Sequence, residues 1–133
     1  MSKSVVASVE DLFFRSKIDA TARHLNVPVR FTDAAGLAAA CREPGTVAAL
    51  VELSDGAVDA VALMRTSGPD GALPVVGFLS HVDRELARRA EAAGVTTVMP
   101  RSQFAETLPE LLMDLMAPGT KREIQEEPEL PDE

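Results

Sequence analysis

A chain of 133 residues, 46% of them apolar, is one globular domain's worth of sequence and leaves no room for a second large core. The net charge of -8, with Trp and Tyr absent and aromatics at 4%, offers neither the basic footprint a nucleic-acid backbone needs nor a stacking platform for single strands. One cysteine excludes a disulfide framework and a cysteine-based zinc site, two histidines (His24, His81) argue against a multi-histidine centre, and no run approaches the roughly 18 apolar residues of a membrane span.

The opening MSKSVVASVED turns acidic without an apolar secretory core, so a cytoplasmic protein is expected. Residues 5–9 (VVASV) form a first strand. Residues 11–25 follow as a helix, with Phe14, Ile18, Ala22 and Leu25 recurring every three or four positions. Residues 27–31 (VPVRF) alternate strictly, and Pro28 cannot donate a ladder hydrogen bond, so this is an edge strand. Asp33 is placed to cap a short alanine-rich helix over residues 34–42, stopped before Pro44 and Gly45. Residues 47–53 (VAALVEL) are almost continuously apolar, as in a strand covered on both faces. A helix over 57–65 and the loop SGPDGALP lead to a second such strand, residues 74–79 (PVVGFL). Residues 82–93 read as a helix with Leu86 and Ala90 inward, Arg84, Arg88 and Arg89 outward, and Gly94 as its stop. Residues 96–99 form a last short strand. Ser102 is then expected to cap a final helix carrying Phe104, Leu108, Leu111, Leu112 and Leu115.

The remainder, residues 118–133 (PGTKREIQEEPELPDE), holds six acids, two bases and three prolines. It buries too little to offset the entropy of ordering, so a disordered acidic tail is expected beyond a folded domain of residues 4–117. Five strand–helix units in succession call for an α/β fold: a doubly wound five-stranded parallel sheet between two helical layers, order 2-1-3-4-5. That order puts the proline-bearing strand on an edge and the continuous apolar runs inside.

In such a sheet ligands bind beyond the C-terminal strand ends. The first strand delivers Glu10 and Asp11, the third Glu52, the fourth Leu79, Ser80 and His81, and the fifth Pro100, Arg101 and Ser102. Three carboxylates, a hydroxyl and an arginine can therefore meet in one crevice.

Over residues 4–117 the sequence resembles the receiver domains of bacterial response regulators, the chemotaxis-type phosphoacceptor fold. The residues that carry the resemblance are VED after the first strand, ALVELSDGAVDAVALM, PVVGFLSH, the helix end EAAG and the basic residue after VMP. The resemblance implies a flavodoxin-like three-layer sandwich in a two-component signalling module. It aligns Glu10 and Asp11 with the acid pair that holds magnesium, and Glu52 with the phosphoacceptor aspartate. Arg101 aligns with the bridging lysine, and Leu79, or Ser80 with a one-residue gap, with the sensing Thr or Ser. Val98 aligns with the aromatic switch.

The departures carry as much information. Glutamate extends the carboxylate by about 1.5 Å, one bond length, relative to aspartate. Phosphoryl transfer depends on in-line positioning, in which angstrom errors cost roughly 100-fold. Arginine is a planar fork where lysine is a point charge. Val98 cannot make an aromatic rotamer switch. The expectation is a stand-alone pseudo-receiver, not an enzyme, whose pocket (Glu10, Asp11, Glu52, Leu79, Ser80, Arg101) is degenerate. There Glu52 reaches toward Arg101 in a permanent, charge-assisted pair. No cofactor is expected, and magnesium at Glu10 and Asp11 is at most vestigial. The resemblance places a protein partner, or a second copy in a homodimer, on a face carrying Arg84, Arg88 and Val98, with no nucleic acid and no membrane.

Plainer roles stand beside these. Glu10 and Asp11 suit a helix N-terminus; Glu52 and Arg101 suit a structural salt bridge; Ser80 suits a helix cap. His81 reads as a solvated loop residue, and His24 as a complement to a helix dipole. Cys41, Met113 and Met116 read as packing. Of adjacent Phe13 and Phe14 only one can face the core. Two other functions compete. One is a magnesium-dependent phosphoester hydrolase built on Glu10, Asp11 and Glu52. The other is a module similar to anti-sigma-factor antagonists, suggested by Leu53 and Ser54 and implying a mixed sheet.

Overall fold

The computed structural model describes residues 3–67, 73–80 and 83–117. The expected acidic tail and His81 lie outside the described residues. Five strands and five helices alternate: β1 (Ser4–Ser8), α1 (Leu12–Leu25), β2 (Val29–Thr32), α2 (Leu37–Arg42), β3 (Thr46–Glu52), α3 (Asp55–Ser67), β4 (Val75–Leu79), α4 (Arg84–Ala93), β5 (Thr97–Pro100) and α5 (Arg101–Met116). Every strand pair is parallel and the order is β2-β1-β3-β4-β5. This is the doubly wound sheet expected, and not the mixed sheet that an anti-sigma-antagonist-like module would require. Pro28 lies just outside the edge strand β2, where its carbonyl accepts from the Val5 N–H. No helix among the described residues is long and apolar enough to cross a membrane.

The pleat explains the two cores. Successive strand residues point to opposite faces. Val5, Ala7, Leu50, Val76, Phe78 and Met99 pack toward α1 and α5, while Val6, Ala49, Val51, Val75 and Leu79 pack toward α2, α3 and α4. On the first side Phe14, Phe78 and Phe104 form an aromatic cluster, Phe78 and Phe104 stacked with centroids 4.1 Å apart. On the second side Gly77 leaves room for Leu53, whose side-chain carbons would lie only 2.8 Å from an added Cβ. Gly94 closes α4 at φ 113°, and its carbonyl accepts from the Arg65 guanidinium, which ties α3 to the end of α4.

Several element ends differ from the sequence reading. Helix α2 begins at Leu37 and not at residue 34, because the Asp33 side chain accepts from the Gly36 N–H and closes a preceding turn. Helix α3 begins two residues early because the Ser54 hydroxyl accepts from the Ala57 N–H and serves as its cap. Asp83 rather than Ser80 caps α4, accepting from the Leu86 N–H. Ser102 does not cap α5; that helix starts at Arg101 with Pro100 in the cap position, which puts Ser102 inside the first turn. Phe14 is buried while Phe13 is 68% exposed. Met113 is exposed, against the expectation of packing, whereas Met116 packs partly against the core. Cys41 is buried, and burial pushes its thiol pKa up against weaker opposing pulls from Arg30 and Arg65.

Candidate functional site

Pleat parity decides where Glu52 points. As the last residue of β3 it shares a face with Leu50, toward α1 and α5. At the C-terminal edge of the sheet, that face meets the loop between β1 and α1 and the start of α5. Glu52 Oε1 accepts from two backbone donors there, the Glu10 N–H at 2.8 Å and the Asp11 N–H at 3.1 Å. Its other oxygen, Oε2, lies 3.8 Å from Arg101 Nη2, with the Glu52 side chain 18% exposed and that of Arg101 49%. Acid and arginine are therefore neighbours, as expected, but the contact is single and long rather than a bidentate fork. The firmer anchor of Glu52 is the pair of loop amides.

Asp11 is committed elsewhere. Its Oδ1 accepts from the Phe13 N–H at 2.9 Å and the Phe14 N–H at 3.2 Å, which caps α1. That satisfies two of the four orphan donors at the helix start and puts a negative charge at the positive end of its dipole. The Glu10 side chain is exposed and contributes its amide to the Glu52 contact. A pocket of about 100 Å³ lies alongside, lined by Ser8, Glu10, Glu52 and Ser54 with Ala34, Leu53 and Ala57. Among the described residues no three His, Cys, Asp or Glu side chains converge as a metal-ligand set. The acid cluster expected of a magnesium-dependent hydrolase thus does not form, because Asp11 is turned onto its own helix and Glu52 onto the loop amides. The residues do not fit the divalent ion that the resemblance implies at Glu10 and Asp11.

Leu79 and Ser80 do not line the pocket beside Glu52. Leu79 is buried on the α3 and α4 side of the sheet, and Ser80 is exposed just beyond β4. Together they line a separate groove between α4 and β5 that also holds Arg84 and Val98. Two of the three expected partner-face residues therefore adjoin two of the expected pocket residues. Arg88 lies farther along α4, where it pairs with Glu85 at 3.2 Å. Arg89 reaches Asp55 of α3 at 2.6 Å, and that hydrogen bond raises its pKa. Sequence reasoning missed Ser8, a buried hydroxyl residue at the end of β1 that lines the pocket. A serine closing a run of apolar strand residues was the available signal. It also missed the amide ligands of Glu52, which no side-chain inventory reveals.

No protein-family model and no curated protein sequence matches the chain. Solved structures do. A response regulator from Hahella chejuensis superposes with a TM-score of 0.74 at 16% identity, covering 88% of this chain and 97% of that one. The phosphorylated cyanobacterial phytochrome response regulator RcpA gives 0.72 at 11% identity, covering 90% and 98%. The chemotaxis protein CheY4 of Vibrio cholerae gives 0.71 at 16%, covering 86% and 99%. Near-complete coverage of these structures gives the chain the fold of a response-regulator receiver domain.

Proposed function

We propose that the chain is a receiver-like signal-transduction module that works without phosphorylation, through contact with a protein partner, and that it is not an enzyme. The observation that carries this reading is the state of the Glu52 carboxylate. One oxygen is held by the Glu10 and Asp11 amides and the other faces Arg101. A phosphoacceptor must present a free oxygen in line with the incoming phosphoryl group. Here the carboxylate extends one methylene further than aspartate and spends that length on a fixed tie between β3 and the β1–α1 loop. Both oxygens of the Glu52 carboxylate have partners within the fold, and among the described residues the acids beside Glu52 do not converge on a cation.

The exposed face of α4 and β5, with Arg84, Arg88 and Val98, is the surface we assign to the partner, or to a second copy in a homodimer. Arg84 and Arg88 are solvent-exposed there beside a groove with an apolar floor. Cationic rims steer and orient an acidic partner, while apolar floors supply affinity.

The test is incubation with a small phosphodonor and magnesium, followed by intact mass measurement under acidic and neutral conditions. The expected result is the unmodified mass. Stoichiometric, acid-labile labelling at Glu52 or at any aspartate overturns the phosphorylation-independent reading.

A further inference from the structure

Of the four large apolar side chains exposed among the described residues, three belong to one helical layer: Leu12 and Phe13 on α1 and Met113 on α5. The two helices pack side by side on one face of the parallel sheet and run in the same direction. Their charges are opposite. Arg15, Lys17 and Arg23 against Asp19 leave α1 at +2, and Arg101 against Glu106, Glu110 and Asp114 leaves α5 at -2. Lys17, Glu106 and Glu110 make no ion pair among the described residues. At about 100° per residue, buried Ile18 turns Ser16 and Ala20 outward and puts Arg15 and Lys17 on opposite flanks of α1. The Arg15 guanidinium lies over the Phe31 ring of β2, so the other flank, with Phe13 and Lys17, faces α5. Counting from buried Leu108 turns Glu106, Glu110 and Met113 outward on α5. Lys17 and Glu106 each lie five residues past the start of their helix, at about the same height along the layer.

We propose that the α1–α5 layer is an interface between two copies of this chain, related by a two-fold axis parallel to the two helices. That axis lays α1 of each copy on α5 of the other. Lys17 then meets Glu106 of the second copy, and Glu106 meets Lys17, so each unpaired charge gains a partner of opposite sign. Phe13, on the flank of α1 nearest the axis, faces its own counterpart and loses its exposure to water. The small outward side chains Ser16 and Ala20 leave α1 low enough for the facing helix to approach closely. An isologous interface must be complementary to itself. A two-fold axis across the helices would instead lay α1 on α1 and α5 on α5, setting like charges against each other. The charge pattern therefore selects the parallel axis. The dimer uses neither the α4–β5 groove nor Arg84 and Arg88, so the face assigned to a protein partner stays open, and the inference stands apart from that reading.

Sedimentation velocity of the full chain over a wide concentration range tests the interface, with Lys17→Glu, Glu106→Lys, the two combined, and Arg84→Glu. Neither Lys17 nor Glu106 belongs to the core, and circular dichroism checks that each variant folds. The expected result is a concentration-dependent monomer–dimer equilibrium in the parent. Each single reversal raises the dimer dissociation constant by roughly tenfold or more, because it turns two symmetry-related attractions into repulsions. The combined variant restores the pairs with their signs exchanged and returns toward the parent, and Arg84→Glu dimerises as the parent does. A parent that is monomeric at every concentration overturns the proposal. So does a dimer that the single reversals leave intact, that the combined variant fails to restore, or that Arg84→Glu dissociates. None of these results bears on phosphoryl labelling at Glu52, so the two readings fail separately.

Discussion

Replacing Glu52 by alanine removes the acceptor that the Glu10 and Asp11 N–H groups share, and with it the tie between β3 and the β1–α1 loop. Hydrogen bonds to a charged acceptor contribute roughly 1.5–3 kcal/mol each. Glu10 is exposed and Asp11 half-buried, so water can replace part of the loss. A total of about 1–2 kcal/mol is the reasoned value for the pair, and in a domain of this size each kcal/mol shifts Tm by roughly 4 °C. Glu52→Gln keeps a neutral acceptor at Oε1, and a neutral bond is about half as strong as a charge-assisted one. The expected order of stability is parent, Glu52→Gln, Glu52→Ala. With Trp and Tyr absent, thermal and urea unfolding are followed by far-ultraviolet circular dichroism rather than fluorescence. Amide shifts of Glu10 and Asp11 give the local readout, moving in Glu52→Ala more than any amide of β2. A Glu52→Ala variant as stable as the parent, with those amides unmoved, refutes the reasoning.

Other outcomes follow from neighbouring contacts. Asp11→Ala strips the cap from α1 and lowers stability by about 1 kcal/mol, measured by urea titration; Asp11→Asn retains most of it. Phe14→Ala opens the cluster with Phe78 and Phe104 and lowers stability by about 3–5 kcal/mol, whereas exposed Phe13→Ala stays within about 0.5 kcal/mol of the parent. Cys41 titrates above its ordinary range when folded, so the native state holds the thiol proton more tightly than the unfolded chain. The stability from this group is complete below about pH 8.5, the unfolded thiol's range, and is lost as pH rises through the raised folded value. Cys41→Ala removes that alkaline decline, and alkylation of Cys41 in the native parent proceeds only at the rate of opening.

The sheet order was legible because its determinants are local and redundant. Pro28 marked the edge, the unbroken runs around Leu50 and Val76 marked the centre, and Phe14, Ile18 and Ala22 marked one buried helix face. Helix starts were less legible, since several serines and aspartates compete for each cap. Asp83 rather than Ser80 accepts from the first turn of α4, and Ser54, which the sequence reading passed over, accepts from that of α3. The site was half legible. Residue types at strand ends brought Glu10, Asp11, Glu52 and Arg101 together, but the partners of Glu52 are backbone amides, which carry no sequence signature. Leu79 counted into the pocket by spacing, yet pleat parity sends it to the other side of the sheet.

The central claim is that the Glu52 carboxylate, held by the Glu10 and Asp11 amides and facing Arg101, takes no phosphoryl group. Titration of the isotopically labelled protein with magnesium and beryllofluoride, which mimics an acyl phosphate, tests it most directly. The account predicts that the amide signals of Glu10, Asp11, Glu52, Ser80 and Arg101 stay where they are throughout. A saturable shift of those signals that requires both reagents contradicts it.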